Sequence, residues 1–118
     1  MSTPENETQV LNLDELKEIM DDDMELIQEC FSDFLQDWPE LYVAIKKAVL
    51  EKNAAELDAH AHRLKGTLRY LAAEPAAQAA WILESAGKNN DMDNLDAKLA
   101  DLKDKCMKLV GYIKQFKP

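Results

Sequence analysis

The residues best suited to chemistry lie together in segment 60–71, which contains both histidines and both arginines of the chain. Apolar residues recur in and just before this segment at steps of three and four, as in an amphipathic helix that packs against a core. These are Leu57, Ala61, Leu64, Leu68 and Leu71. At about 100° per residue, His62 falls on the opposite, solvent face of the helix. An exposed, unprotonated imidazole is a competent nucleophile, so His62 is the candidate reactive residue.

Gly66 follows His62 by one helical turn and lies on the same outward face. Glycine inside a helix is less stable than alanine by about 1 kcal/mol, so its presence there needs a reason. Close packing against a neighbouring helix is one reading, but the apolar stripe is on the other side. Clearance for a group that approaches His62 fits better. Lys65 and Arg69 border this gap, where their charge would favour an anion; for Arg69, an ordinary solvated basic side chain is almost as good an explanation.

No metal site is predicted. His60 and His62 point about 200° apart on a helix and cannot hold one ion. Cys30 and Cys106 are too far apart in sequence for a zinc pattern, and both lie on apolar helical stripes, where they are expected to be buried free thiols.

Composition narrows the classes of partner. A formal net charge of −9 over 118 residues argues against nucleic acid or an anionic membrane surface as partner. No apolar run is long enough for a membrane span, and the first residues lack the pattern of a signal peptide. We therefore expect one domain, located in the cytoplasm, with a polar and disordered tail over residues 1–10.

Apolar spacing and capping signals predict helices along the rest of the chain. A short helix is expected from Leu13 to Met20, and a long one from Met24 to about Glu51, bent but unbroken at Pro39. The helix that carries His62 is expected to start after Asn53 and to end near Leu71 or Ala72. Two more follow: one starts at Glu74-Pro75 and is stopped by Gly87, and the last spans Leu95 to Phe116. No segment has the alternation of a strand. The prediction is an all-α, antiparallel up-down-up-down four-helix bundle over residues 11–118, with the short N-terminal helix capping one end.

The run His62-Arg63-Leu64-Lys65-Gly66 resembles the H-x-L-K-G motif of histidine phosphotransfer (HPt) domains of two-component phosphorelays. The similarity extends in pattern over nearly the whole chain after about residue 12. It departs at Ala72, where the family more often has glycine before the helix ends. The family fold is the same four-helix bundle.

The resemblance implies that His62 is the phosphoacceptor, with Lys65 and Gly66 beside it. It also implies that Glu84 accepts a hydrogen bond from the ring Nδ1 and that Lys88 touches the partner; for both, a plain surface charge is the alternative. Position suggests a docking patch at one end of the bundle, made of Ile19, Met20 and Met24 and rimmed by Lys65, Arg69 and Lys88.

The leading hypothesis is a monomeric phosphorelay intermediate that takes a phosphoryl group from a receiver-domain aspartate and passes it to another receiver. A hybrid sensor histidine kinase is a further candidate partner. The chain has no nucleotide-binding motif, so it is not expected to be a kinase or to hold a cofactor, and the Mg²⁺ for transfer would belong to the receiver. A non-catalytic adaptor bundle and a phosphorylatable regulator of a single partner are the alternatives.

Overall fold

The computed structural model describes residues 10–116, and every regular element in that range is an α-helix. The helices are α1 (Leu13–Ile19), α2 (Met24–Leu50), α3 (Ala54–Tyr70), α4 (Glu74–Lys88) and α5 (Leu95–Gln115). The predicted all-helical fold is confirmed for this range. The predicted disordered tail, apart from Val10, lies outside the described residues.

Three of the helices begin at the side-chain caps expected from the sequence. Asn12, Asp23 and Asn53 each accept a hydrogen bond of 3.0–3.1 Å from the backbone N–H three residues later. Each cap satisfies one of the N–H groups that a helix start leaves without an intrahelical partner. The starts of α1, α2 and α3 are therefore fixed by local sequence.

The long helix α2 passes through Pro39 without a break, as predicted. Its inward positions keep one apolar phase on both sides of the proline, so both halves stay attached to the same core. These positions are Ile27, Phe31, Phe34, Trp38, Ile45, Ala48 and Val49. One unbroken helix therefore keeps the whole stripe on the core, and the bend at Pro39 stays a prediction.

The four long helices pack into one bundle around a common core. Helix α3 packs against α2 and α4, and α5 packs against α4 and α2. Helix α1 contacts α2, and the Asn12 N–H before it donates a 2.9 Å hydrogen bond to the carbonyl of Ala72, just beyond α3. The short helix therefore starts beside the end of the bundle at which α3 terminates.

Helix α3 ends at Tyr70, and Ala72 adopts a left-handed backbone conformation with φ of 57°. Glycine is the residue that takes this conformation without a steric penalty. The turn after α3 is thus formed even though Ala72 replaces the glycine that the family more often has there. Alanine is less favourable than glycine in this conformation.

Two expectations about apolar residues near the surface are wrong. Met20 was expected in an exposed docking patch, but its side chain is only 1% exposed. It follows Leu16 by four residues, so both side chains lie on the face of α1 that is turned into the core. Cys106 is buried as expected, whereas Cys30 is only partly buried; both are free thiols.

Gly87 does not stop α4, which continues to Lys88. It is instead a point of close approach between α4 and the backbone of α3. A Cβ atom at Gly87 would lie 2.6 Å from the carbonyl oxygen of Ala54 and 2.7 Å from the amide nitrogen of Asp58. Both are backbone atoms, which cannot move aside as a flexible side chain can. Gly87 therefore sets how close the two helices come.

Gly87→Ala should lower the free energy of unfolding by about 1–3 kcal/mol, because the methyl group must push two helices apart. Gly111→Ala is the matched control, since a Cβ there meets nothing within 4 Å. It should raise stability by up to about 1 kcal/mol through helix propensity. Chemical denaturation of both variants gives the comparison; equal effects of the same sign would contradict the tight contact at Gly87.

Candidate functional site

His62 projects from α3 into solvent, with 67% of its side chain exposed. One ring nitrogen is not free: Nδ1 lies 2.8 Å from Oε2 of Glu84, at hydrogen-bond distance. The other nitrogen, Nε2, has no hydrogen-bond partner within residues 10–116. The ring is therefore fixed through Nδ1, while Nε2 is open to solvent.

Glu84 belongs to α4 and reaches His62 because α3 and α4 are packed side by side. Its side chain is only 5% exposed, and among residues 10–116 it is the one charged residue that is buried. Lys65 places its Nζ 2.7 Å from the second carboxylate oxygen, Oε1. At this distance the contact is a close, charge-assisted ion pair, so Lys65 compensates the buried carboxylate.

Burial raises the pKa of Glu84, but contacts with Lys65 and His62 outweigh this and lower it from 4.5 to about 2. The carboxylate is therefore ionised at neutral pH and can only accept a hydrogen bond. Nδ1 of the neutral ring must then carry the proton, which leaves the lone pair on the exposed Nε2.

A second lysine borders the same carboxylate. Lys88 Nζ lies 3.4 Å from Oε2 of Glu84 and 3.6 Å from Oδ1 of Asp58, a partly buried residue one turn before His62. Lys88 was expected to touch a docking partner, and sequence reasoning did not place Asp58 in this cluster. Its spacing of four residues from His62 was the available signal, but only the approach of α4 shows which cation it meets.

The outward face of α3 carries small residues next to His62. Gly66 is exposed, and a Cβ on it would meet nothing within 4 Å. It is not a packing glycine, in agreement with its predicted outward position. Ala55 and Ala59, earlier on α3, are also exposed. Small residues therefore flank the imidazole on both sides along the helix.

The remaining predicted residues lie further from the ring. Arg69 is exposed and makes no ion pair within residues 10–116, two turns after His62. Ile19 is 39% exposed at the α1 end of the bundle, and Met24 is partly buried there. His60 is turned away from His62 and lies 2.9 Å from Oε1 of Glu56.

Neither a metal site nor a membrane span is found in the described chain. Residues 10–116 contain no cluster of three or more His, Cys, Asp or Glu side chains that could hold a metal ion. Beside His62, the one buried carboxylate is already contacted by lysines, which would repel a cation. No helix in this range is long and apolar enough to cross a bilayer.

The structure is thus a helical bundle that presents one exposed imidazole held by a buried carboxylate. A family model described as the Hpt domain matches residues 29–111, which include both His62 and Glu84. Because the match covers well over half of the chain, the protein belongs to the Hpt domain family. Hpt domains are phosphotransfer modules of two-component relays that lack kinase activity and interact with receiver domains and kinases. Comparison with curated proteins and with solved structures returned no match.

Glu84→Gln should make the stability of the protein less dependent on pH in the acid range. The lowered pKa of Glu84 means that its stabilisation is fully present above pH 4.5 and is lost as the pH falls towards 2. The stability difference between the wild type and this variant should therefore be largest near neutral pH, up to about 3 kcal/mol, and shrink below pH 4.5.

Denaturant unfolding at several pH values measures this difference. Glu56→Gln is the control, because that exposed carboxylate also contacts a histidine, His60. It should change stability by less than about 1 kcal/mol. A wild-type advantage over Glu84→Gln that persists undiminished at pH 2 would contradict the ion-paired state of Glu84.

Proposed function

We propose that this Hpt domain is a phosphorelay intermediate whose phosphoacceptor is Nε2 of His62. The observation that carries the proposal is the hydrogen bond between Nδ1 of the exposed ring and the buried, ionised Glu84. This bond orients the imidazole and keeps its lone pair on the nitrogen that faces solvent. A histidine without a role would not need a dedicated buried carboxylate.

The proposed reaction is a displacement at phosphorus in each direction. Nε2 attacks the phosphorus of an aspartyl phosphate on a receiver domain, an N–P bond forms, and the P–O bond breaks to release the aspartate carboxylate. The proton stays on Nδ1 throughout, hydrogen-bonded to the carboxylate of Glu84. In the second step, the aspartate of another receiver attacks the phosphorus, and His62 leaves with its lone pair restored.

The residues around His62 have supporting parts in this proposal. Lys65 offsets negative charge on the transferred phosphoryl group, and Arg69 favours the approach of an acidic partner surface. Gly66 gives the receiver room to reach the ring. The chain needs no cofactor of its own, because the receiver would hold the Mg²⁺ that assists transfer.

Docking is proposed on the outward face of α3 and the adjoining α1 end of the bundle. Ile19 and Met24 offer partly exposed apolar surface there, whereas buried Met20 does not.

In this proposal α2–α5 run up-down-up-down with α1 at one end, and the protein acts as a monomer in the cytoplasm.

Regulation of a single partner is the second candidate function, because the same site would serve a bundle that is phosphorylated without passing the group on. A chase distinguishes the two. After label has moved from a phosphorylated receiver to the protein, a second unlabelled receiver should remove it if the protein is a relay.

Replacing His62 by Gln should abolish phosphorylation while the fold remains, because the side chain is mostly in solvent. His60→Gln is the control and should accept label at the wild-type rate. Incubation with a labelled phospho-receiver, followed by acid-lability analysis of the product, gives the result. Label retained by the His62 variant and lost by the His60 variant would refute the assignment.

Gly66→Gln should fold normally but block transfer, because a long side chain beside His62 would stand in the path of the receiver. Gly66→Ala should preserve or raise stability, by up to about 1 kcal/mol. Gly111→Gln is the control for the cost of glutamine on an open helix face, and it should transfer at the wild-type rate. Melting temperatures and transfer rates are measured on all three variants. Normal transfer by Gly66→Gln would mean that no partner comes so close.

A further inference from the structure

Two lysines share a single buried carboxylate beside His62, and they hold it very differently. Lys65 lies against Oε1 of Glu84 at 2.7 Å, with only 15% of its side chain exposed. Lys88 lies 3.4 Å from Oε2 and is 60% exposed. The first is a close and sheltered ion pair, and the second is a looser contact at the edge of the solvent.

Phosphorylation would change what Lys65 has to neutralise. His62 contacts Oε2 and Lys65 contacts Oε1, so ring and ammonium meet at the same carboxylate. A phosphoryl group on Nε2 brings about two negative charges to this neighbourhood and attracts the ammonium of Lys65. If Lys65 turned towards it with nothing in its place, the buried Glu84 would keep only the Nδ1–H of the ring as a partner and would lose its lysine counter-ion, which is unfavourable.

We infer that Lys88 is a reserve counter-ion for Glu84 that frees Lys65 to follow the phosphoryl group on His62. This rests on the proposed phosphorylation of His62 and adds a positioning residue to it. Lys88 acts through Glu84 and Lys65 and need not touch the phosphoryl group.

The position of Lys88 suits such an exchange. Its Nζ is shared between Oε2 of Glu84 and Oδ1 of Asp58, at 3.4 and 3.6 Å. Asp58 keeps the ammonium at the mouth of the site while Lys65 is in place. A small movement of a largely exposed side chain then brings it to full contact with Glu84. The buried carboxylate stays compensated during the whole exchange.

The exchange can be tested without any partner, by melting Lys65→Ala, Lys88→Ala and the double variant. If either lysine can serve Glu84, Lys88→Ala alone should melt within a degree or two of the wild type. The double variant should then lose more than the sum of the single losses, by about 4 °C or more. The excess should vanish in a Glu84→Gln background. Strictly additive losses would overturn the inference.

Lys108→Ala is the matched control. Lys108 is 62% exposed and pairs with Asp104 at 3.2 Å across the same i,i+4 spacing as Lys88 and Glu84, but here both side chains of the pair are largely in solvent. Combined with Lys65→Ala, it should give an additive loss. An excess as large as that of the Lys88 double variant would show a general effect of charge and would also overturn the inference.

Transfer kinetics separate this role from docking. Lys88→Ala should lower the maximal rate of transfer from a phospho-receiver about five- to tenfold, and the receiver concentration at half-maximal rate should change less than twofold; Lys88→Arg should restore the rate. A raised half-saturating concentration with a normal maximal rate would mean that Lys88 is a docking residue. Unchanged kinetics would also refute the inference. If His62→Gln still accepts label, the proposed function fails, whereas the melting experiment remains decisive for the lysine exchange.

Discussion

The chemistry of this site depends on one buried charge. Glu84 is ionised because Lys65 and His62 together outweigh the effect of burial, and its ionisation in turn decides which nitrogen of His62 carries the proton. The exposed ring could rotate and change tautomer in water, but the carboxylate behind it permits one orientation. The nucleophile is thus prepared by the bundle before a partner arrives, which lowers the entropic cost of reaching a reactive geometry.

The contact between Glu84 and His62 exists because α3 and α4 approach closely, and Gly87 makes that approach possible. Backbone atoms of Ala54 and Asp58 occupy the space that a side chain at Gly87 would need. One turn earlier on α4, Glu84 meets His62, so a change in helix spacing at Gly87 is carried directly to the site. The packing glycine and the buried carboxylate form one structural unit.

Different parts of the chain stabilise the fold and keep His62 accessible. Within residues 10–116 the core is made of apolar residues, and Glu84 at its edge is the one buried charged residue. The outward face of α3 carries small residues around the imidazole, where no packing is required of them. The helix therefore gives up some intrinsic stability at Gly66, and the rest of the bundle, through helix caps and apolar stripes, supplies enough to keep it folded.

Local sequence determined the helices and the exposed position of His62, because capping hydrogen bonds and a repeat of three and four residues depend only on neighbours along the chain. It also singled out Gly66 by its place on the same helix face. Four roles could not be derived from local sequence, because each depends on which residues of a second helix lie opposite. These are the roles of Glu84, Lys88, Asp58 and Gly87. Gly87 looked like a helix stop, and Met20 looked like a surface residue, until the packing of whole helices placed both of them inside. Only the tertiary structure determines these features, because burial and ion pairing depend on which residues of two helices face each other. The spacing of residues along one helix does not contain that information.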